Sequence, residues 1–310
     1  MKHGLESLRL EPGSGILVPD YVCDVVLDPI AQLGLAHGYY PLGDDLAPDW
    51  NELESRVTPS TRALMAVHYF GQPQDLPRFR EFCDRHALRL LEDNAHGHGG
   101  DLDGRPLGSF GDVGISSPRK FLGTPQGGAL WVGGEAVYLA EDVAPARISS
   151  AKTLQRKISK QFPALNRRVK TMLRGRPPYD DPRADREGPV QEGSLDPALA
   201  RVFERTDWRA MRARRQEVYA AWREFAQRHD LAPVYAHLHP EANPWCFAAY
   251  AARAEVASRW CAWGAENGAR VFRWPALPEE IVVAGGACLE RWQRLLCFST
   301  EIPPPPGAPI

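Results

Sequence analysis

The chain has 310 residues, which at roughly 150 residues per domain corresponds to one large domain or to two of ordinary size. With 37 Lys and Arg residues against 39 Asp and Glu residues, its formal net charge of -2 gives no field that would attract a polyanion, which argues against a nucleic-acid binder. The hydrophobic share of 44% and the charged share of 25% are typical of a globular protein and exclude a disordered or fibrous one.

The sequence has no run of about 18 uncharged apolar residues, which a membrane span needs. The opening MKHGLESLRLEPGSG contains no apolar run of signal-peptide length. The six cysteines are spread along the chain without a C-x-x-C pair, which argues against a disulfide framework or a structural zinc site. The sequence therefore predicts a cytoplasmic protein with reduced thiols and no bound metal.

The first 135 residues alternate between short apolar runs and stretches of helical period, the pattern of a parallel sheet covered by helices. In chain order we predict a strand at 15–19, a helix at 22–33, a strand near 37–41, a helix at 50–57 capped by Asp49, a strand at 63–70, a helix at 75–86, and strands at 88–92, 113–116 and 129–132. Ligands of such sheets bind at the carboxyl ends of the strands. The polar residues there are the candidate site: Asp20 and Tyr21, His68, residues 93–98 and residues 116–120.

Beyond residue 135 the character of the sequence changes twice. Residues 152–176 contain nine basic and no acidic residues, which indicates either a solvated helical connector or a phosphate-recognising patch. From about residue 200 the chain has helical periodicity over 207–229 and carries seven of its nine tryptophans. We therefore predict a large α/β domain over 1–135, a basic connector over 136–200 and a small C-terminal domain over 201–310.

Two groups of residues that follow predicted strands carry chemistry. Ser117 and Lys120 form an S-x-x-K arrangement, and Asp93 follows the strand LRLLE with His96 three residues on. Taken alone each is weak, because an acid after a strand is usually a helix N-cap or a loop residue, and a lysine beside an arginine is usually a surface pair. Together they match what pyridoxal phosphate requires: an amine for the Schiff base, a carboxylate that keeps the pyridine nitrogen protonated, and a hydroxyl for the phosphate.

Residues 67–130, VHYFGQPQDLPRFREFCDRHALRLLEDNAHGHGGDLDGRPLGSFGDVGISSPRKFLGTPQGGAL, are similar in order and spacing to the DegT/DnrJ/StrS family of pyridoxal-phosphate-dependent sugar aminotransferases. Upstream, LEPGSGILVPDYVC resembles the family's proline-glycine turn and its strand ending in V-P-x-Y. The motifs that carry the resemblance are H-Y-x-G, E-D-x-A-H, G-S-F-G-D and S-x-x-K followed by G-G. The resemblance covers about residues 10–135 and implies fold type I, the aspartate aminotransferase architecture. That fold has a large domain with a mainly parallel sheet and a smaller C-terminal α+β domain.

The resemblance also implies a role for each motif residue. Lys120 would form the Schiff base and shuttle protons in both half-reactions, and Asp93 would pair with the pyridine nitrogen. His96 would lie near the phenolic oxygen of the cofactor, and Ser117 would contact its phosphate. His68 matches a strand-end position of the family without a defined role. A lysine at position 120, where the dehydratase branch of the family has histidine, favours the transaminating branch.

Two departures from the family pattern concern the cofactor. Cys23 stands where many members have an aromatic residue that stacks on the ring, so we expect stacking to come from elsewhere. The family's Gly-Thr-containing turn, which supplies N–H groups to the phosphate, precedes the first shared helix, and the chain begins within that helix. We therefore expect the N-terminal segment of the family to be missing and the 310-residue form to bind the phosphate less tightly.

Three functions remain open. The first is an aminotransferase of amino-sugar biosynthesis, for a surface polysaccharide or a secondary metabolite. It would act as a homodimer on a nucleotide-linked keto sugar, with glutamate or glutamine as amino donor. The second is an inactive chain of the same fold that serves as a binding or partner subunit. The third is a metal-dependent hydrolase that uses His96 and His98 with Asp93, Asp101 and His68. The sequence favours the first.

Overall fold

The computed structural model describes residues 1–137, 178–184 and 193–305. The described residues form two main sheets, one from the first 137 residues and one from the C-terminal part of the chain. The basic segment 152–176, and with it most of the predicted connector, lies outside the described residues.

The first 137 residues contain nine strands, and seven of them form the larger sheet. The nine strands are β1 (Gly15–Pro19), β2 (Ala36–Tyr40), β3 (Thr61–Val67), β4 (Arg89–Asn94), β5 (Asp101–Leu102), β6 (Arg105–Pro106), β7 (Val113–Ser116), β8 (Ala129–Val132) and β9 (Glu135–Ala136). Seven of them pair in the order β2-β1-β3-β4-β7-β8-β9, while β5 and β6 form a separate antiparallel hairpin. All pairings from β2 to β7 are parallel, and β8 and β9 extend the sheet by antiparallel pairing. The predicted α/β class with a mainly parallel sheet is confirmed.

Helices of the same part connect the strands, and their ends follow from local chemistry. They are α1 (Lys2–Ser7), α2 (Leu27–Gln32), α3 (Trp50–Arg56), α4 (Leu76–His86) and α5 (Pro118–Leu122), with short 3-10 helices at Asp24–Val26 and Tyr69–Gly71. The Asp49 side chain accepts from the first N–H groups of α3, as predicted, and Asp75 does the same for α4. On α4 the apolar residues Leu76, Phe79 and Phe82 are buried at helical spacing, which fixes the face that packs on the sheet.

Three of the elements predicted within the first 135 residues differ from the observed ones by two or more residues at one end or both. The strand predicted over 63–70 ends at Val67, because Phe70 adopts a left-handed conformation with φ of 59° that turns the chain. The helix predicted over 22–33 divides into a 3-10 turn and α2. Pro29 has no N–H and is tolerated only in the first turn, so the α-helix begins at Leu27. The strand predicted over 88–92 continues to Asn94 and therefore includes Asp93.

The C-terminal part forms an antiparallel sheet with helices. Its elements are a 3-10 turn (Pro178–Asp180), α6 (Pro197–Glu204), α7 (Trp208–Gln227), β10 (Ala232–Pro233), β11 (Cys246–Tyr250), α8 (Ala254–Glu266), β12 (Val271–Phe272), α9 (Glu279–Ala284), α10 (Gly286–Arg294) and β13 (Leu295–Ser299). The strand order is β10-β11-β13-β12. One apolar cluster around Trp222, Trp260 and Phe298 is confined to this part.

A second apolar cluster is continuous between the two parts and contains residues of both, among them Tyr21, Phe70, Trp245 and Trp292. The C-terminal part is therefore packed directly on the larger sheet. The division of the chain at residues 135 and 200 stays a prediction. Among the described residues, no helix combines the length and the apolar character that a crossing of the bilayer needs.

A partly buried ion pair links the two parts at the end of β1. An oxygen of the Asp20 carboxylate lies 3.8 Å from the guanidinium of Arg291 on α10, and another nitrogen of that guanidinium donates to the Leu42 carbonyl at 2.6 Å. Burial raises the pKa of Asp20 to about 6, and the attraction of Arg291 only partly opposes this rise. The folded protein therefore holds a proton on Asp20 more tightly than the unfolded chain does.

This shift makes stability depend on pH with a defined sign. Because the pKa of Asp20 is higher in the folded state, its favourable contribution is complete below about pH 4 and is lost as the pH rises through 6. We expect Asp20→Asn, which imitates the protonated group, to gain about 1–3 kcal/mol of unfolding free energy relative to the parent between pH 4 and pH 7.5. Urea unfolding of both proteins at the two pH values measures this. A difference that stays constant with pH would contradict the assignment.

Candidate active site

The polar ends of two adjacent parallel strands bring the predicted site residues together. In the pairing of β4 with β7, Asp93 lies beside Ile115 and Asn94 beside Ser116. The chain then passes through Ser117 directly into α5, which carries Lys120. The carboxyl edge of the sheet therefore presents Asp93, Ser117 and Lys120 at one place, as expected for this topology.

Asp93 is a buried strand-end carboxylate with 7% of its surface exposed. One of its oxygens accepts from the N–H of Ala95 at 2.9 Å, and its carbonyl accepts from the N–H of His68 at 2.9 Å. The next element after the strand of Asp93 is β5 and not a helix, so Asp93 is not a helix N-cap. Burial lowers the pKa of the Met1 α-amino group, and the nearby Asp93 carboxylate partly opposes this.

Ser117 and Lys120 lie at the start and in the middle of α5. Ser117 occupies the N-cap position, but its side chain accepts no capping hydrogen bond and its hydroxyl has no partner among the described residues. The Lys120 ammonium lies 5.2 Å from the ring centroid of Trp245 and 6.0 Å from that of Trp274. A serine hydroxyl and a lysine amine thus stand three residues apart beside the buried carboxylate.

His96 lies in an aromatic box. Its ring, 2% exposed, is stacked between Phe70 and Trp245, with centroid distances of 5.8 and 4.4 Å. The Trp274 ring lies nearly perpendicular to the His96 ring, with centroids 4.4 Å apart. Burial lowers the pKa of His96 well below its usual value, and the positive charge of Lys120 lowers it further. His96 is therefore neutral.

The hydrogen bonds of His96 define its tautomer. The N–H of Phe70 donates to Nδ1 at 3.4 Å, so the neutral ring carries its proton on Nε2. That Nε2–H is buried and has no partner among the described residues. A buried donor without an acceptor is costly in a native protein, and a ligand oxygen beside Lys120 would satisfy it. These atoms therefore fit pyridoxal phosphate, which has an oxygen next to the carbon that reacts with the lysine.

His68, for which the family resemblance implies no role, pairs with Glu92, a residue that was not predicted from the sequence. Its Nε2 donates to Glu92 at 3.0 Å, and its Nδ1 accepts from the N–H of Gln74 at 3.1 Å. The Glu92 carboxylate, 1% exposed, also accepts from the N–H groups of Gly108, Phe110 and Gly111. The first acid of E-D-x-A-H therefore anchors the G-S-F-G-D loop, and the second faces the site.

The glycine-rich loop after β4 packs against the C-terminal part of the chain. A Cβ on Gly100 would come within 2.9 Å of the Asn243 nitrogen, and the Asn243 amide donates to the His98 carbonyl at 2.6 Å. The His98 ring shares a hydrogen bond of 2.6 Å with Ser116, and burial lowers its pKa to about 4. The loop thus holds the C-terminal part against the strand ends.

The placement of these residues gives no support to the metal-dependent hydrolase. His68 is committed to Glu92 and Gln74, and Asp101 pairs with Arg212 at 2.8 Å. Within residues 1–137, 178–184 and 193–305, no three or more His, Cys, Asp or Glu side chains are grouped as a metal site requires.

Trp245 and Trp274 belong to the site, but they were not identified from the sequence. The abundance of tryptophan after residue 200 was the only signal, and it does not say which ring contacts Lys120. Cys23 precedes the 3-10 turn at Asp24–Val26, and its thiol contacts the Asp24 carboxylate at 3.6 Å. The aromatic surface near Lys120 is thus supplied by the C-terminal part of the chain.

Two surface cavities lie away from these residues. One of about 480 Å³ is lined by Arg273 and Trp292 among others, and one of about 240 Å³ by Trp50 and Tyr235 among others. Neither is lined by Lys120. We therefore assign the site by the chemistry of its residues and by its place at the carboxyl edge of the sheet.

The anchoring role of Glu92 is testable by a single change. In Glu92→Gln an amide group replaces one acceptor oxygen and meets N–H donors in the core, so we expect a loss of about 1–3 kcal/mol of unfolding free energy. Glu54→Gln, at an exposed carboxylate that pairs with Arg85 at 3.4 Å and with His86 at 2.8 Å, should change stability by less than about 1 kcal/mol. Urea unfolding measures both. Equal effects would show that the buried network does not anchor the loop.

Comparison with known proteins identifies the family. The model of the DegT/DnrJ/EryC1/StrS aminotransferase family matches residues 1–172, more than half of the chain. The chain is 31% identical over 135 residues to a UDP-N-acetyl-3-dehydro-alpha-D-glucosamine 3-aminotransferase of Acidithiobacillus ferrooxidans, a match that covers 43% of this chain and 37% of that protein. It is 34% identical over 138 residues to a dTDP-3-amino-3,4,6-trideoxy-alpha-D-glucose transaminase of Streptomyces venezuelae, with 42% and 35% covered. The chain thus spans little more than a third of the length of these curated relatives.

Solved structures extend the similarity over nearly the whole chain. The aminotransferase TlmJ of Streptoalloteichus hindustanus is similar with a TM-score of 0.64 at 20% identity, covering 96% of this chain and 77% of that one. The PLP form of the putative sugar aminotransferase Spr1654 of Streptococcus pneumoniae gives a TM-score of 0.67 at 14% identity, with 96% and 79% covered. At this identity the similarity establishes the fold, which is the one that the sequence resemblance implied. From its sequence match and its fold, the chain belongs to the DegT/DnrJ/EryC1/StrS aminotransferase family.

Proposed function

We propose that the protein is a pyridoxal-phosphate-dependent aminotransferase that transfers an amino group to a nucleotide-linked keto sugar. The observation that carries the proposal is the meeting of Asp93, the unpaired Nε2–H of His96 and Lys120 at one edge of the sheet. Membership of the family supports the reaction class. The names of the similar proteins, which act on UDP-linked and dTDP-linked sugars, support the substrate class.

Four residues have the chemistry to hold the cofactor. Lys120 supplies the amine for its aldehyde, and Asp93 supplies a buried carboxylate for its ring nitrogen. The Nε2–H of His96 donates to its ring oxygen, and the Ser117 hydroxyl donates to its phosphate. When bound, pyridoxal phosphate supplies the electron sink of the reaction.

The protein's own groups then control protons. The carboxylate of Asp93 keeps a proton on the ring nitrogen, and its burial strengthens this interaction. The Nζ of Lys120 takes a proton from the reacting carbon of the amino donor and returns one to the acceptor in the second half-reaction. Trp245 and Trp274 exclude water from the side of Lys120 that they cover.

The amino donor, the oligomeric state and the compartment extend the proposal. A similar protein of Streptomyces griseus, 40% identical over 133 residues, is an L-glutamine:scyllo-inosose aminotransferase, so we propose glutamine or glutamate as donor. We further propose a homodimer, because symmetric dimers are the commonest oligomers. All six cysteines are free thiols, which suits the cytoplasm.

The attachment of the cofactor to Lys120 is the first expected result. The described ranges contain two lysines, Lys2 and Lys120, and only Lys120 lies three residues after a serine at the strand edge. Borohydride treatment of the full chain saturated with pyridoxal phosphate, followed by peptide mapping, should place the covalent adduct on Lys120. An adduct on Lys2 or on a lysine of the basic segment would overturn the assignment. The absence of any adduct would favour the non-catalytic partner subunit.

Asp93→Asn tests whether the Asp93 carboxylate holds a proton on the ring nitrogen of the cofactor. Asparagine keeps the acceptor oxygen for the Ala95 N–H, so we expect stability within about 0.5 kcal/mol of the parent. It removes the charge that holds a proton on the ring nitrogen, so the rate with glutamate should fall about 100-fold or more. Asp103→Asn, in an exposed turn with φ of 51°, is the matched control and should react like the parent. An Asp93→Asn protein of nearly parental rate would make Asp93 structural.

A further inference from the structure

The two tryptophans beside Lys120 are held in place by their main chains. The N–H of Trp245 donates to the Phe70 carbonyl at 3.0 Å, and its carbonyl accepts from the Thr300 hydroxyl at 3.0 Å. The carbonyl of Trp274 accepts from the hydroxyl of Tyr21. Phe70 follows β3 and Tyr21 follows β1, so both tryptophans are fixed to strand ends of the larger sheet. Their rings are therefore pre-organised beside Lys120.

The two rings differ in exposure. Trp245 is 8% exposed and has one face against His96, whereas Trp274 keeps part of its surface accessible. Neither indole N–H donates to a residue within the described ranges. Tyr21, Tyr69 and Phe70 also pack around the Trp274 ring, with centroids 5.9, 6.1 and 5.8 Å away. A ligand beside Lys120 can therefore reach the accessible part of the Trp274 ring and its indole N–H.

The position of the two tryptophans indicates whether they would meet the cofactor or the substrate. The ring nitrogen of the cofactor belongs at Asp93, at the end of β4, whereas the tryptophans contact Lys120 and His96. Those two residues serve the carbon that reacts and the oxygen beside it. With the roles proposed above, the tryptophans would lie beside the two groups that a substrate must reach to react.

We propose that Trp245 and Trp274 form the subsite for the acceptor, whose hydroxylated six-membered ring stacks on Trp274; this inference rests on the proposed function. Such a ring has an apolar C–H face and a polar rim. An indole offers the matching pair, a flat apolar face and an N–H donor. Trp274, with the more accessible ring, carries most of the contact, and Trp245 closes the subsite against Lys120.

The test separates the sugar ring from the nucleotide. Calorimetric titration of the full chain, with pyridoxal phosphate added, compares UDP-N-acetylglucosamine with UDP alone, and scyllo-inositol serves as a ring without a nucleotide. We expect Trp274→Leu to weaken binding of UDP-N-acetylglucosamine and of scyllo-inositol about tenfold or more, and to leave the affinity for UDP within about twofold. Trp274→Phe, which keeps an aromatic face, should lie between Trp274→Leu and the parent.

Two controls accompany the titration. Trp50 of α3 packs against Phe79 of α4 with ring centroids 5.0 Å apart, and Trp50→Phe should bind all probes as the parent does. The affinity for pyridoxal phosphate, followed by its visible absorbance, is measured for both Trp274 variants, because Trp274 also contacts His96 and Lys120. A loss of cofactor affinity in place of sugar affinity would assign the ring to the cofactor and overturn the proposal.

The remaining outcomes decide between the two hypotheses. Equal losses for UDP and UDP-N-acetylglucosamine, unchanged binding in Trp274→Leu, or a parent that binds no sugar ring would each overturn the subsite. Sugar binding that depends on Trp274, in a protein that neither takes up pyridoxal phosphate nor reacts with glutamate, would support the subsite and overturn the proposed aminotransferase. A protein that takes up pyridoxal phosphate and reacts with glutamate, but whose sugar binding does not depend on Trp274, would support the aminotransferase and overturn the subsite.

Discussion

Glu92 stands on a central strand without access to water, so its carboxylate must find all of its hydrogen-bond partners inside the protein. It finds three N–H groups on the loop at 108–111 and the imidazole of His68 at the end of β3. These partners belong to two separate stretches of the chain, which the buried charge draws together on β4. Because Asp93 is the next residue on the same strand and side chains alternate along a strand, the arrangement that buries Glu92 directs Asp93 to the opposite face. The position of the candidate catalytic carboxylate therefore depends on a neighbour that takes no part in the chemistry.

The electrostatics of the site follow from burial in the same way. His96 is neutral because its aromatic box excludes water and because Lys120 disfavours a second positive charge. A neutral imidazole with its proton on Nε2 can donate a hydrogen bond to a ligand oxygen without adding a second positive charge beside Lys120. His96 thus adds no charge to this edge, and the aromatic rings around His96 and beside Lys120 keep the local dielectric low. In such surroundings a single hydrogen bond to a charge that develops during the reaction lowers the reaction barrier more than it would in water.

The parts of this site that the sequence predicts are those governed by local periodicity. Apolar runs locate β1, β3, β4 and β7, and the rule for parallel sheets then brings Asp93, Ser117 and Lys120 to a common edge. Two acids in a row, Glu92 and Asp93, cannot be told apart in this way, because either could end the strand. Nor does local sequence fix the antiparallel direction of β8, which depends on how the chain returns after α5. Trp245 and Trp274 follow Lys120 by more than a hundred residues, and no spacing rule connects them to it. Their contacts arise only from the packing of the C-terminal part on the strand ends.

That packing separates the groups that hold the two parts together from the groups that face the site. Main-chain hydrogen bonds join the C-terminal part to the larger sheet: the Trp274 carbonyl accepts from Tyr21, the Trp245 N–H donates to Phe70, and the Leu42 carbonyl accepts from Arg291. The Trp245 carbonyl accepts from Thr300 within the C-terminal part. Side-chain identity at positions 245 and 274 does not enter into these bonds. These main-chain bonds therefore do not depend on which side chains stand at the two positions, although both rings also pack into the apolar cluster that joins the two parts. The main-chain bonds thus fix residues 245 and 274 beside Lys120, while their side chains supply the rings that contact Lys120 and His96.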